Sequence, residues 1–194
     1  MLHTLTGTAE LTQEIRKSRF RARAAPIDDP AAALAELIDL GDPAATHNCW
    51  AYRVNQQYRF SDDGEPGGSA GKPILQATDS QGFDRVVVVV TRWYGGTKLG
   101  VGGLARAYGG CAAECLRLAT AVPIVDHCGL RVRCDFAIVP ILRARLADFA
   151  AEIVDETFSA TGATLEIRVP RDRLEAFEDL VRDLSRGRAV IELG

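Results

Sequence analysis

Five consecutive valines, Val86 to Val90, limit the possible folds of this chain more than any other feature. With Thr91 and Trp93 they give residues 85–93 a nearly continuous β-branched and aromatic pattern. A strand that is apolar on both faces is typical of the centre of a sheet that is covered on both sides. The run is much too short to span a bilayer. A glycine-rich loop follows it, and a helix is predicted at residues 103–120.

The rest of the first 120 residues predicts a similar mixture of elements. Strands are predicted at residues 9–25 (one or two) and 46–54, helices at 31–40 and 69–78, and a polar loop at 56–68. Asp28-Asp29 precedes the first helix and Ser69 is the predicted N-cap of the second. The basic cluster Arg16-Lys17-Ser18-Arg19 interrupts the first strand region.

The last third of the chain has a recognisable order of elements. Strands are predicted at residues 129–136, 152–158, 163–169 and 189–193, and helices at 140–150 and from Pro170 to a stop at Gly187. The order β-α-β-β-α-β is the ferredoxin-like arrangement. Pro123 interrupts the preceding helix, so we predict an α+β protein of two domains, residues 1–122 and 123–194.

Composition and charge narrow the function classes. Hydrophobic residues make up 47% of the 194 residues and charged residues 25%, as in ordinary soluble globular proteins. The N-terminal residues show no signal-peptide pattern, so the expected compartment is the cytoplasm and no membrane partner is expected. A net charge of −3 argues against indiscriminate nucleic-acid binding. Residues 1–122 hold 13 basic and 13 acidic side chains, so any anion-binding surface there must be a local patch.

The five cysteines favour a reduced environment over a metal site. Their number is odd, no CxxC is present, and Cys111 and Cys115 share one face of a predicted helix. A zinc site would need two more ligands, which His47 and Cys49 could supply. Small buried thiols in a reduced cytosol fit the pattern better, and we predict neither a metal nor a cofactor.

The first candidate segment, residues 61–73, combines carboxylates with glycines. Asp62, Asp63 and Glu65 precede a glycine-rich turn that leads into a predicted helix and Lys72. Such a turn is either a solvated loop with capping acids or a source of backbone N–H groups for an anion. The spacing does not match a P-loop. Clustered carboxylates could also bind a hard cation.

The second candidate segment, residues 91–109, joins the valine-rich strand to the next helix. Its backbone could approach a ligand closely at Gly95, Gly96, Gly100, Gly102 and Gly103. The glycines do not form GxGxxG in the required frame, which argues against a dinucleotide site.

Basic and aromatic side chains accompany these glycines. Arg92, Lys98 and Arg106 with Trp93 and Tyr94 suit a nucleic-acid backbone with unstacked bases. The alternative for each aromatic residue is packing in the core.

The third candidate segment, residues 46–53, places His47 and Cys49 on one face of a strand. Residues at i and i+2 in a strand are about 6–7 Å apart, too far for a direct Cys–His hydrogen bond. His47 could instead act with Asp62, Asp63 or Glu65 in a hydrolase, although these are weak catalytic candidates.

In this order the segments resemble the YigZ/IMPACT family. The matching residues are 14–20 (EIRKSRF), 45–53 (ATHNCWAYR), 61–66 (SDDGEP), 70–75 (AGKPIL) and the glycine-rich segment 91–108. Two small departures keep residue character: Gly67-Gly68-Ser69, where members more often have Ser/Thr-Gly-Thr, and Trp93-Tyr94, where Tyr-Phe is usual. The resemblance implies a ribosomal-protein-S-five-domain-2-like first domain and a ferredoxin-like second domain.

The resemblance also implies a connection with translation. Eukaryotic members restrain the kinase that senses uncharged tRNA, through a partner-binding domain that we do not find in this sequence. We therefore expect a binding protein rather than an enzyme, with RNA or the ribosome as partner and no DNA specificity. The alternatives are a protein-interaction module in translational regulation and a hydrolase that uses His47.

Overall fold

The computed structural model describes residues 2–194, which divide into two compact units, residues 2–124 and 125–194. We call them unit 1 and unit 2. Each unit combines strands with helices, so the predicted two-domain α+β architecture is confirmed. Among the described residues, no helix is long and apolar enough to cross a membrane.

Unit 1 contains a five-stranded sheet in which every neighbouring pair is antiparallel. Its strands, in sheet order, are β2 (Ala9–Ile15), β3 (Ser18–Pro26), β6 (Val86–Trp93), β4 (His47–Val54) and β5 (Gln57–Ser61). The valine-rich strand β6 therefore lies at the centre, as its sequence predicts. All of its residues except Trp93 are buried.

Helices cover both faces of this sheet. Helix α1 (Pro30–Leu40) packs on one face, and helices α2 (Gly71–Ser80) and α3 (Val101–Leu118) pack on the other. Because side chains alternate along a strand, Val86, Val88 and Val90 join the core beneath α2 and α3. Val87 and Val89 join the core beneath α1. The valine run thus supplies both cores of unit 1.

Two parts of unit 1 differ from the sequence prediction. The polar stretch predicted as a loop contains β5, which pairs with β4 at the sheet edge. Tyr58 and Phe60 alternate with polar residues, as in a strand, but the segment is short and the turn-rich residues after it favour a loop. All of its side chains except that of Ser61 are exposed. The sequence prediction also lacks a two-stranded sheet, in which β1 (His3–Leu5) pairs with β7 (Ala121–Pro123), just after α3.

Unit 2 has the predicted β-α-β-β-α-β order. Its elements are β8 (His127–Cys134), α4 (Val139–Arg145), β9 (Glu152–Phe158), β10 (Ala163–Pro170), α5 (Leu174–Ser185) and β11 (Val190–Leu193). The sheet order is β11-β8-β10-β9, with antiparallel neighbours. Leu130, Leu165 and Phe177 belong to the single core that joins this sheet to the helices. A short 3₁₀ turn, Leu146–Phe149, replaces the end of the longer helix predicted at residues 140–150.

Candidate functional site

A buried ion pair joins the two glycine-rich segments. Arg92 near the end of β6 is 4% exposed, and its Nη1 donates to Glu65 Oε1 at 2.6 Å. Tyr108 OH of α3 donates to the same oxygen at 2.7 Å, and burial raises the pKa of Tyr108 far above its usual range, so the phenol stays protonated. Arg92 Nη2 donates to Ser18 Oγ at 3.3 Å. The charge of Arg92 is therefore balanced inside the unit.

Trp93 lies on the opposite face of β6 from Arg92, because successive side chains of a strand alternate. The guanidinium carbon of Arg19 is 3.8 Å from the centre of the Trp93 ring, and that of Arg21 is 5.2 Å away. Trp93 is thus half-buried beneath two cations of β3 and does not share a surface with Arg92. Tyr94, the next residue, is 45% exposed.

Asp62 fixes the conformation of the first glycine-rich segment. Its Oδ1 accepts hydrogen bonds from the N–H groups of Ala70 and Gly71, and its Oδ2 accepts one from Gly68 N–H. Partial burial would raise the pKa of Asp62, but these three donors outweigh it and lower the pKa. Asp62 therefore satisfies the start of α2, whereas the predicted N-cap Ser69 has a buried hydroxyl without a partner. The prediction of Ser69 as N-cap is wrong.

His47 lies close to Glu65, whereas the side chain of Asp63 accepts a hydrogen bond from a backbone N–H group. Asp63 Oδ2 accepts the Asn48 N–H at 2.5 Å. The carbonyl oxygen of Asp63 lies 2.7 Å from His47 Nδ1, and a carbonyl can only accept, so Nδ1 bears the proton. His47 Nε2 is 3.9 Å from Glu65 Oε1. Of the three carboxylates considered with His47, only Glu65 faces its Nε2.

Cys49 is poorly suited to nucleophilic chemistry. It is buried, its Sγ donates to the carbonyl oxygen of Asp62 at 3.0 Å, and burial raises the pKa of its thiol to about 12. Cys111 and Cys115 are also buried, without a disulfide. Among residues 2–194, no group of three or more His, Cys, Asp or Glu side chains is arranged to hold a metal ion.

The second glycine-rich segment lies against the basic turn between β2 and β3. A Cβ atom on Gly95 would be 1.7 Å from the carbonyl oxygen of Lys17, so only glycine fits there. Arg16 and Lys17 form this two-residue turn, both with positive φ. Their position next to the loop depends on a tertiary contact that the sequence does not reveal. In the sequence itself, the basic cluster Arg16-Lys17-Ser18-Arg19 is the feature that indicates this part of the site.

Two pockets open along this part of unit 1. The larger, of about 500 Å³, is lined by His47, Glu65, Arg92 and Lys98 and by the start of α3 at Gly100. A neighbouring pocket of about 220 Å³ is lined by Arg16, Arg106 and Gly103. Leu99 lines both. The loop glycine Gly96 has positive φ, while Gly102 lies in the first turn of α3.

Five exposed cations of the two glycine-rich segments and the basic turn have no acidic partner. Within residues 2–194 these side chains form no ion pair: Arg16, Lys17, Lys72, Lys98 and Arg106. We call them the basic surface. Lys72 belongs to α2, and its neighbour Pro73 lines a groove between α2 and α3 together with Arg106. The predicted cations Lys72, Lys98 and Arg106 are exposed, whereas Arg92 is not.

Comparisons with known proteins agree with the two-unit division. The Impact N-terminal domain matches residues 16–116, and a domain of unknown function, DUF1949, matches residues 132–188. A protein of Thermus thermophilus described as an IMPACT family member is 45% identical, over 87% of this chain and 96% of its own length. IMPACT family member YigZ of Escherichia coli is 34% identical, over 91% of this chain and 90% of its own length.

A solved structure supports the fold over the whole chain. The crystal structure of a hypothetical protein matches with a TM-score of 0.71 and 31% identity, covering 98% of this chain and 95% of the other. The Impact N-terminal match contains both glycine-rich segments, the Glu65–Arg92 pair and the basic turn. On these grounds, this chain belongs to the IMPACT family.

Proposed function

We propose that this chain is a translation-associated protein that binds RNA or the ribosome through the basic surface of unit 1. The observation that supports this most is the absence of ion pairs at Arg16, Lys17, Lys72, Lys98 and Arg106 within residues 2–194. Unpaired lysine and arginine side chains can exchange bound counterions for phosphates, which provides most of the affinity for a nucleic-acid backbone.

Arg92 has a different role in this proposal from the one its sequence position suggests. Its guanidinium pairs with Glu65, so it stabilises the loops and does not contact phosphate through the basic surface. Trp93 is likewise covered by Arg19, at 3.8 Å. The Tyr94 ring has the Arg92 guanidinium carbon 5.2 Å from its centre but is 45% exposed, so of the two aromatic residues we expect Tyr94 to stack on a base. The cytoplasm, where translation takes place, is the compartment that we propose.

Two fold assignments accompany this proposal. We propose that unit 1 has a ribosomal-protein-S-five-domain-2-like fold, since its antiparallel sheet is covered by α2 and α3 on one face. Unit 2 is proposed to be ferredoxin-like, because its strand order β11-β8-β10-β9 places the first and third strands of the unit in the centre.

A protein-interaction module in translational regulation is the second candidate. Helix α1 exposes two apolar side chains one turn apart, Leu34 at 51% and Ile38 at 80%. They lie on the sheet face opposite α2 and α3, so a protein could bind there while the basic surface stays open. A double Leu34→Ser and Ile38→Ser variant would then lose its protein partner and keep its affinity for RNA.

A hydrolase that uses His47 is the third candidate. It is favoured by the contact between His47 Nδ1 and the Asp63 carbonyl, which leaves Nε2 facing the larger pocket. Glu65 already accepts hydrogen bonds from Arg92 and Tyr108, which makes it a weak second catalytic group.

Binding of purified, nuclease-treated protein to RNA fragments and to ribosomes tests the first candidate. At low salt we expect binding that weakens steeply as salt is added. Absence of binding to both at low salt would contradict the proposal. If binding is observed, crosslinking in cells followed by sequencing of the recovered RNA would identify the RNA that is bound.

A further inference from the structure

Of the two pockets that share Leu99, the larger combines a polar end with an apolar wall. Its volume of about 500 Å³ lies within the range of small-molecule sites, about 300–1,000 Å³. The wall is formed by Leu99, Val101 and Leu104, and the exposed ring of Tyr94 also lines the pocket. Such a wall favours a flat, partly apolar group.

The polar end is suited to an anion. Lys98 forms no ion pair within residues 2–194. Arg92 and Glu65 also line the pocket, and Arg92 is only 4% exposed. Glu65 Oε1 accepts a hydrogen bond from Arg92 Nη1, and the buried Nε of Arg92 has no partner. Because this pair balances the Glu65 carboxylate, Lys98 gives the polar end its positive charge.

The start of α3 adds backbone donors to the same end. This 18-residue helix begins at Val101, after Gly100 with φ +71°, and no side chain caps it. Its first turn contains no acidic residue. The first N–H groups of a helix have no partner within the helix and favour a negative group, so they point to the same kind of ligand as Lys98.

We propose that this pocket binds one unstacked nucleotide, with its phosphate near Lys98 and the start of α3 and its base against Tyr94 and Val101. This inference rests on the proposed RNA-binding function and deepens it. Leu99 also lines the neighbouring pocket, which contains Arg16 and Arg106, so the RNA that continues from the bound nucleotide would contact the basic surface. A free mononucleotide presents the same chemistry.

The test uses uridine monophosphate and a fluorescently labelled hexauridylate, each titrated into the full chain. Val101→Trp fills the pocket from a site that is 59% exposed and changes no charge. Tyr94→Ala removes the stacking ring, and its backbone N–H keeps its bond to Thr46 Oγ1. Arg173→Ala in unit 2 is the control, and circular dichroism checks the fold of each variant.

We expect Arg173→Ala to bind each probe as tightly as the wild-type chain does. Each pocket variant should lose about tenfold in affinity for hexauridylate. Loss of binding to the monophosphate in Val101→Trp supports a nucleotide pocket whatever the source of the nucleotide. If only the monophosphate binds, the pocket inference stands for free nucleotides and the RNA-binding proposal fails.

A different result would contradict the nucleotide pocket and leave the RNA-binding proposal standing. If both pocket variants bind hexauridylate as tightly as the wild-type chain, with the same loss of affinity on added salt, the nucleotide pocket is contradicted and the RNA-binding proposal survives. If the wild-type chain binds neither probe at low salt, both are contradicted.

Discussion

The two units of this chain use their charged side chains differently. In unit 2 every arginine except Arg186 forms an ion pair with a carboxylate: Arg131, Arg133, Arg143, Arg145, Arg168, Arg171, Arg173, Arg182 and Arg188. In unit 1 several carboxylates instead accept hydrogen bonds from backbone N–H groups, as Asp29, Asp62, Asp63 and Asp84 do.

This difference explains how a unit without net charge can present a basic surface. Residues 1–122 contain 13 basic and 13 acidic side chains, yet among the described residues the carboxylates that fix turns and helix starts form no ion pair with the exposed cations. Net charge therefore describes unit 1 poorly, and the partners of each carboxylate describe it better.

The buried pair of unit 1 gives the largest expected effect. Arg92→Met leaves Glu65 buried without its charged partner, which we expect to lower the free energy of unfolding by about 3–5 kcal/mol. Both tryptophans, Trp50 and Trp93, lie in unit 1, so their fluorescence during urea unfolding reports this unit alone. A loss below about 1 kcal/mol would show that the pair does not hold the loops together.

Removal of the carboxylate at the start of α2 should lower the free energy of unfolding by an intermediate amount. Asp62→Ala removes the acceptor for three backbone N–H groups, and we expect a loss of about 2 kcal/mol at pH 7 in the same urea experiment.

The same variant predicts a pH dependence with a definite sign. The pKa of Asp62 in the folded chain lies below its ordinary value of 3.8. Its stabilisation is therefore complete above that ordinary value and is lost as the pH falls through the lower, folded pKa. The stability difference between the wild-type chain and Asp62→Ala should stay constant from about pH 7 to pH 5 and shrink below about pH 4. A difference that grew on acidification would contradict the capping role.

The exposed pairs of unit 2 give the smallest expected effect. Arg133 pairs with Glu192 on the surface, and both side chains are about half exposed. Arg133→Ala should change the free energy of unfolding of unit 2 by no more than about 1 kcal/mol, because water and salt screen exposed pairs. Urea unfolding followed by circular dichroism measures this change. A loss as large as that of Arg92→Met would remove the contrast between the two units.

Much of the fold could be predicted because it depends on local patterns. The valine run identifies β6, since both faces of the strand are apolar within one short stretch. The unit 2 strands β8 and β10 alternate in burial, and α5 has apolar residues at helical spacing. Strand β5 escaped prediction because its alternation of Tyr58 and Phe60 with polar residues is short and adjoins a turn-rich stretch.

The candidate site was harder to predict because its chemistry depends on contacts between distant segments. The sequence correctly selects the glycine-rich segments, but it does not show that Glu65 neutralises Arg92 or that Arg19 covers Trp93. Nor does it show that Lys17 lies against Gly95, which adds the basic turn to the surface. Residue type could be read from the sequence, whereas the partner of each charge could not.

The most direct test measures the RNA affinity of two charge-matched variants as a function of salt. Lys98→Ala with Arg106→Ala removes two unpaired cations of unit 1, and Arg131→Ala with Arg133→Ala removes two paired cations of unit 2. The logarithm of the affinity for single-stranded RNA should fall less steeply with the logarithm of salt concentration in the first variant, by about 1.4 in slope. The second variant should match the wild-type chain. Equal slopes for all three proteins would contradict the claim that the unpaired cations of unit 1 bind RNA.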